Sequence, residues 1–151
     1  MIMNRRTLVV FLSLLFLFSF SSPVLAQSGA GWKAGVAKVK ITPSENIWMA
    51  GYASRTHPSE GKIHDLWAKA VFLEDANGNN ALLITTDLVG ISKAISDRIR
   101  DKIEERWGLS RAQIILNSSH THSGPVLTHI LTNIYPLDGF EKEKIDRYSL
   151  W

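Results

Sequence analysis

The stretch Asn117-Ser118-Ser119-His120-Thr121-His122-Ser123-Gly124-Pro125 concentrates the groups able to do chemistry. His120 and His122 stand two residues apart. In extended backbone such residues face the same side, and two neutral imidazoles on one side suit a zinc ion. Ser119, Thr121, Ser123 and Gly124 are small, so they leave room for a ligand; their hydroxyls could also orient an imidazole. The same residues fit a polar turn with two solvated imidazoles. Cysteine is absent, which excludes disulfides, thiolate zinc sites, iron–sulfur clusters and a cysteine nucleophile. Metal chemistry is left to five His and the carboxylates.

Further groups could join the pair. Asp87 ends the apolar run before Leu88-Val89-Gly90. If its strand neighbours the one leading to His120, the carboxylate could orient that imidazole or hold a water; a plain turn Asp is the other reading. Tyr52, Arg55, His57 and His64 lie in one long loop and could line a pocket, with Tyr52 and Arg55 against the substrate. Ser118, Ser119 and Ser123 are conceivable nucleophiles, but none sits in a Gly-x-Ser-x-Gly elbow. Asn117-Ser118-Ser119 is also a glycosylation acceptor, and a glycan there would crowd His120.

These groups need elements to position them. Val36, Val39 and Ile41 among Lys38 and Lys40 read as a strand over 32–41, stopped by Thr42-Pro43. Residues 42–66 show no sustained period and carry Pro43, Gly51, Pro58 and Gly61. A loop this long in a compact domain is usually functional or disordered; Trp48, Met49 and Tyr52 favour a packed one. Residues 66–74 and 81–88 read as strands joined by the turn 75–80 into an antiparallel hairpin. Ile91, Ile95, Ile99, Ile103 and Trp107 recur every fourth residue, predicting a helix over 92–107 with Ser92 as N-cap and Gly108 as its stop. Its charged residues form a solvated face. Ile114-Ile115-Leu116 predicts a fourth strand, parallel to the third through a right-handed crossover. Helical pattern resumes from Phe140. The fold class is α/β, a mixed β-sheet flanked by helices. Ligands in such sheets bind beyond the carboxyl ends of the strands.

The beginning of the chain has a different character. Arg5 and Arg6 precede an apolar run from Leu8 to Phe20, then Ser21-Ser22-Pro23 and Val24-Leu25-Ala26. That is the layout of a secretory signal peptide over 1–26; the run is shorter than the roughly 20 residues of a spanning helix. The expected localisation is therefore secreted or periplasmic, with no transmembrane helix after cleavage. The whole chain has 151 residues and a net charge of +3. Residues 27–151 keep 15 basic and 14 acidic side chains and no basic stripe, so nucleic-acid binding is not expected.

Five blocks carry a further signal in order: Ala34-Gly35-Val36-Ala37-Lys38-Val39-Lys40-Ile41-Thr42-Pro43, Met49-Ala50-Gly51-Tyr52-Ala53, Asp65-Leu66-Trp67-Ala68-Lys69-Ala70, Thr86-Asp87-Leu88-Val89-Gly90 and the His-Thr-His-Ser-Gly-Pro block from His120 to Pro125. This succession resembles the N-terminal part of the neutral/alkaline non-lysosomal ceramidases. The resemblance implies a secreted, zinc-dependent hydrolase of sphingolipid metabolism. Such an enzyme cleaves the N-acyl bond of ceramide to a sphingoid base and a fatty acid, with peripheral membrane contact expected. It implies His120 as a zinc ligand and His122 as the catalytic residue, in contact with substrate at the reacting centre. Asp87 and Ser123 are supporting candidates.

Family members are much longer. Their other zinc ligands (a His, a Glu and a Tyr) and an essential serine lie further along. One His cannot hold a catalytic zinc, which takes three protein ligands. Residues 27–151 are therefore expected to be the incomplete N-terminal portion of a larger catalytic domain, cut within its last helix and inactive alone. An amidase for another N-acyl lipid, a non-catalytic secreted binding domain and a non-functional remnant are the alternatives.

Overall fold

The computed structural model describes residues 31–150. The expected signal peptide over 1–26 lies outside the described residues. Strands β1 (Lys33–Lys40), β2 (Trp67–Glu74), β3 (Asn80–Thr86) and β4 (Ile114–Ser118) form one mixed sheet in the order β1-β2-β3-β4. β1 and β2 pair antiparallel, as do β2 and β3; β3 and β4 run parallel. The β2–β3 hairpin turns on Asp75, whose carboxylate accepts the backbone N–H of Asn77 and Asn79. Those bonds, with the Asn79 side-chain amide first, hold the Asp75 carboxyl below its ordinary range.

Helix α1 (Lys93–Trp107) makes the crossover from β3 to β4. The Ser92 hydroxyl accepts the Ile95 N–H, and Gly108 closes the helix in the left-handed region at φ 69°, donating to Glu104. A left-handed residue at this position favours glycine because a Cβ would crowd the carbonyl. Ile99 and Ile103 pack with Leu109 and Ile114 on Phe72, Leu82, Ile84 and Leu116 from one sheet face. The fourfold repeat predicted that Trp107 would share this face, but it is 63% exposed. Four residues turn a helix by about 40° more than a full turn. By Trp107 the stripe begun at Ile91 has rotated away from the sheet, and the indole carries Arg106 instead.

β1 lies at the sheet edge and is exposed along its whole length, so its alternation does not mark burial. Lys33, Lys38 and Lys40 suit an edge strand, where charge opposes unwanted pairing.

A second core lies off the sheet and is built by loops. Ile47, Trp48 and Ala50 from the long loop pack with Val89, Val126, Tyr135, Leu137 and Ile145. The base of that loop is closed by Ile41 N–H on Leu66 O and by Leu66 N–H on the Thr42 hydroxyl. Helix α2 (Gly139–Leu150) supplies Ile145 and ties back through the Tyr148 hydroxyl, which donates to Ile41 O. Burial pushes that phenol up to about 12, so it stays a donor. Among the described residues no helix is long and apolar enough to cross a membrane.

Helix α2 also buries an ion pair. Lys144 donates to Asn46 O at 3.1 Å, pairs with Glu141 at 2.9 Å and lies over the Phe140 ring. Removing one partner of a buried pair strands the other charge. Lys144→Ala is expected to lower stability by about 3 kcal/mol, whereas Lys144→Met with Glu141→Gln costs far less. Urea unfolding midpoints of the two variants check this; equal losses would refute the pairing.

Candidate functional site

β3 and β4 run side by side and end together, and the candidate residues follow their carboxyl ends. β3 is followed by Asp87-Leu88-Val89; β4 is followed by Ser119 and His120, with Ser119 N–H bonded to Thr86 O. The expected position beyond the strand ends is thus where the residues lie.

The histidine pair is brought together by a turn. Extended backbone through His120 and His122 would set both on one side, but β4 stops at Ser118 and His120 sits at φ 58°, in a turn. His tolerates this left-handed region better than most residues, at a cost of about 1–3 kcal/mol. The two rings nevertheless meet edge to face, with centroids 5.1 Å apart and planes at 66°.

His120 Nδ1 lies 2.7 Å from Val89 O. A carbonyl can only accept, so Nδ1 carries the proton, and in the neutral ring Nε2 keeps its lone pair. That is the bonding pattern of metal-ligating imidazoles. The orienting role considered for Asp87 is therefore taken by a backbone carbonyl. Asp87 instead accepts the Trp67 N–H at 2.9 Å and its own N–H returns to Trp67 O, pinning the first residue of β2.

His122 is half-buried. Its ring meets Tyr52 edge-on at 4.7 Å, and its carbonyl accepts Arg55 Nη2 at 2.6 Å. The Arg55 guanidinium also stacks on the Tyr52 ring at 5.3 Å. Of the loop residues considered, Tyr52 and Arg55 reach His122. His57 is exposed and bonds Pro58 O; His64 is exposed. Ser123 is exposed and its N–H donates to Thr121 Oγ1.

Two short chain segments hold this corner. Ala50 N–H bonds Gly124 O and Val126 N–H bonds Trp48 O. Gly51 N–H bonds the Tyr135 hydroxyl at 2.9 Å, and Tyr135 packs on Trp48. Gly51, at φ 112°, lies so close to His122 that a Cβ would come 2.3 Å from its Cγ. Tyr135 and the Val89 carbonyl were not among the residues singled out from the sequence. Gly51 stood in one of the quoted blocks, without a role.

A catalytic zinc needs three protein ligands. Among the described residues no group of three His, Asp or Glu side chains could hold a metal ion. His120 fits as one ligand, and the described residues do not complete a site.

Residues 32–149 match the family described as neutral/alkaline non-lysosomal ceramidase, N-terminal. Among curated proteins, the chain is 28% identical over 166 aligned positions to neutral ceramidase B of Dictyostelium discoideum, covering 97% of this chain and 23% of that protein. It is 27% identical over 127 positions to the neutral ceramidase of Pseudomonas aeruginosa, covering 82% and 19%. Against neutral ceramidase 2 of Arabidopsis thaliana the identity is 24% over 131 positions, covering 82% and 17%. The crystal structure of the Pseudomonas aeruginosa neutral ceramidase superposes with a TM-score of 0.63 at 22% identity, over 77% of this chain and 20% of that one. The chain thus spans 17–23% of the length of these curated relatives. The superposition bears out the mixed sheet with helices as part of a larger fold.

Proposed function

The chain belongs to the neutral/alkaline non-lysosomal ceramidase family, matching its N-terminal region, and on that premise we propose that it forms part of a zinc-dependent hydrolase of an N-acyl lipid amide of the ceramide kind. The products are a fatty acid and a free amine. The observation that carries this reading is the His120 imidazole, its Nδ1 proton held on Val89 O and its Nε2 left for a metal, with His122 beside it.

In this proposal His120 is one zinc ligand, and the described residues do not supply the others. A bound zinc would polarise the amide carbonyl and lower the pKa of a bound water to about 7. The chain's own residues do the rest. Val89 O fixes the His120 ring. His122 contacts the substrate at the reacting centre, and Tyr52 and Arg55 fix the position of His122. The apolar run after Arg5-Arg6 supports export, and so a secreted or periplasmic enzyme meeting its lipid at a membrane surface.

The test is to express the open reading frame of the natural locus and assay fatty-acid release from an N-acylsphingosine. Hydrolysis that a zinc chelator abolishes and added zinc restores is the expected result. A frame that stops after Trp151, or a longer product without hydrolysis, would overturn the catalytic reading in favour of a binding role or a remnant.

A further inference from the structure

His120 and His122 are held in different ways. The His120 ring is fixed by a hydrogen bond from Nδ1 to Val89 O. His122 is bonded through its backbone carbonyl, which accepts Arg55 Nη2. Its ring is set by contact instead. Tyr52 meets it at 4.7 Å and His120 at 5.1 Å. Gly51 closes the third side: a Cβ on Gly51 would come within 2.7 Å of His122 Cβ, Cγ and Nδ1. The ring therefore keeps its place only while Gly51 keeps its own.

Gly51 has no side chain to anchor it, and glycine has the widest backbone freedom of any residue. Its N–H donates to the Tyr135 hydroxyl at 2.9 Å, from 84 residues away in sequence. Tyr135 is buried, and its ring packs on Trp48 with centroids 5.4 Å apart. A phenylalanine would fill the same space, so packing does not explain the hydroxyl. A buried hydroxyl is costly without a hydrogen bond, and the bond it makes here is to Gly51.

We propose that Tyr135 is a positioning residue: its hydroxyl fixes Gly51, and Gly51 fixes the His122 ring. The consequence for turnover rests on the amide-hydrolase reading, in which His122 acts at the reacting centre.

Tyr135→Phe removes the hydroxyl and keeps the ring. In the full chain, the nuclear Overhauser contact between the Gly51 α-protons and the His122 ring is expected to weaken, and the ring resonances to shift. In the product of the natural locus, kcat is expected to fall about ten- to a hundredfold, the cost of a slightly misplaced reacting group, with KM and zinc content near the parent's. Ile145→Val is the control. It loosens the same core with the hydroxyl in place, so it should lower stability yet leave the His122 resonances and kcat as they were. Unmoved His122 resonances in Tyr135→Phe overturn the proposal. Equal changes in Ile145→Val also overturn it, since Tyr135 would then act only as a core residue. Should Tyr135→Phe fail to fold, the unmodified chain decides: the Gly51 amide should exchange slowly with solvent, and fast exchange overturns the bond. If the locus product hydrolyses no amide, the amide reading fails, while the ring resonances still judge the hold of Tyr135 on His122.

Discussion

His120→Ala is expected to abolish tight zinc uptake and amide hydrolysis together, in the protein that carries the rest of the family domain. The variant removes the Nε2 lone pair, which the Val89 carbonyl leaves free by holding the proton on Nδ1. Loss of a partner that merely orients a ligand costs about 10–100-fold in metal affinity, so loss of the ligand itself should exceed that range. Zinc content per protein and fatty-acid release are the two readouts. His122→Ala is the companion: it should keep the metal and lose turnover, because His122 is proposed to act on the substrate. Normal zinc content in His120→Ala would remove that residue from the ligand set. Zinc lost from His122→Ala, but not from His120→Ala, would reverse the two roles.

Legibility in the sequence followed the range of each interaction. Ser92 and Gly108 could be read as helix ends because a cap acts on backbone within the adjoining turn. The β2–β3 hairpin and the β3–β4 crossover followed from element order, since short connections leave few topologies. Trp107 leaves the apolar face because a fourfold repeat drifts around the helix instead of marking a fixed face. His120 and His122 lie together, but not through the extended backbone that would set them on one side. The strand ends before them, and a left-handed residue, which no local pattern announces, turns the rings together. The partners of the site were the least legible. The Val89 carbonyl has no side-chain signature, and Tyr135 reaches Gly51 across 84 residues of sequence. Asp87 is an instructive case. Its position at the strand end was read correctly, but its carboxylate is spent on the Trp67 N–H, a bond that exists only once β2 and β3 have paired.

Gly51→Ala is expected to be the most damaging single substitution for the shape of this corner, lowering stability by about 4 kcal/mol. Two costs combine. At φ 112° a side chain is strained whatever space surrounds it. In addition the new Cβ would lie 2.3 Å from His122 Cγ and 2.6 Å from His122 Cβ. Rotating the imidazole could relieve the first contact; the second is fixed by the backbone. The backbones cannot simply part, because Ala50 N–H is tied to Gly124 O, Val126 N–H to Trp48 O, and Gly51 N–H to Tyr135. Moving them would break those bonds and loosen Trp48 and Tyr135 in the second core. Gly78→Ala separates the two costs. Gly78 has φ 82° with nothing within 4 Å of where a Cβ would lie, so only the conformational part, about 1 kcal/mol, applies there. Urea midpoints of the two variants measure the difference, and the His122 ring resonances report whether the Tyr52 contact survives. If Gly51→Ala costs no more than Gly78→Ala and leaves those resonances in place, the close approach of Gly51 to His122 is wrong. The Tyr52–Arg55–His122 corner would then lose the constraint that holds it together.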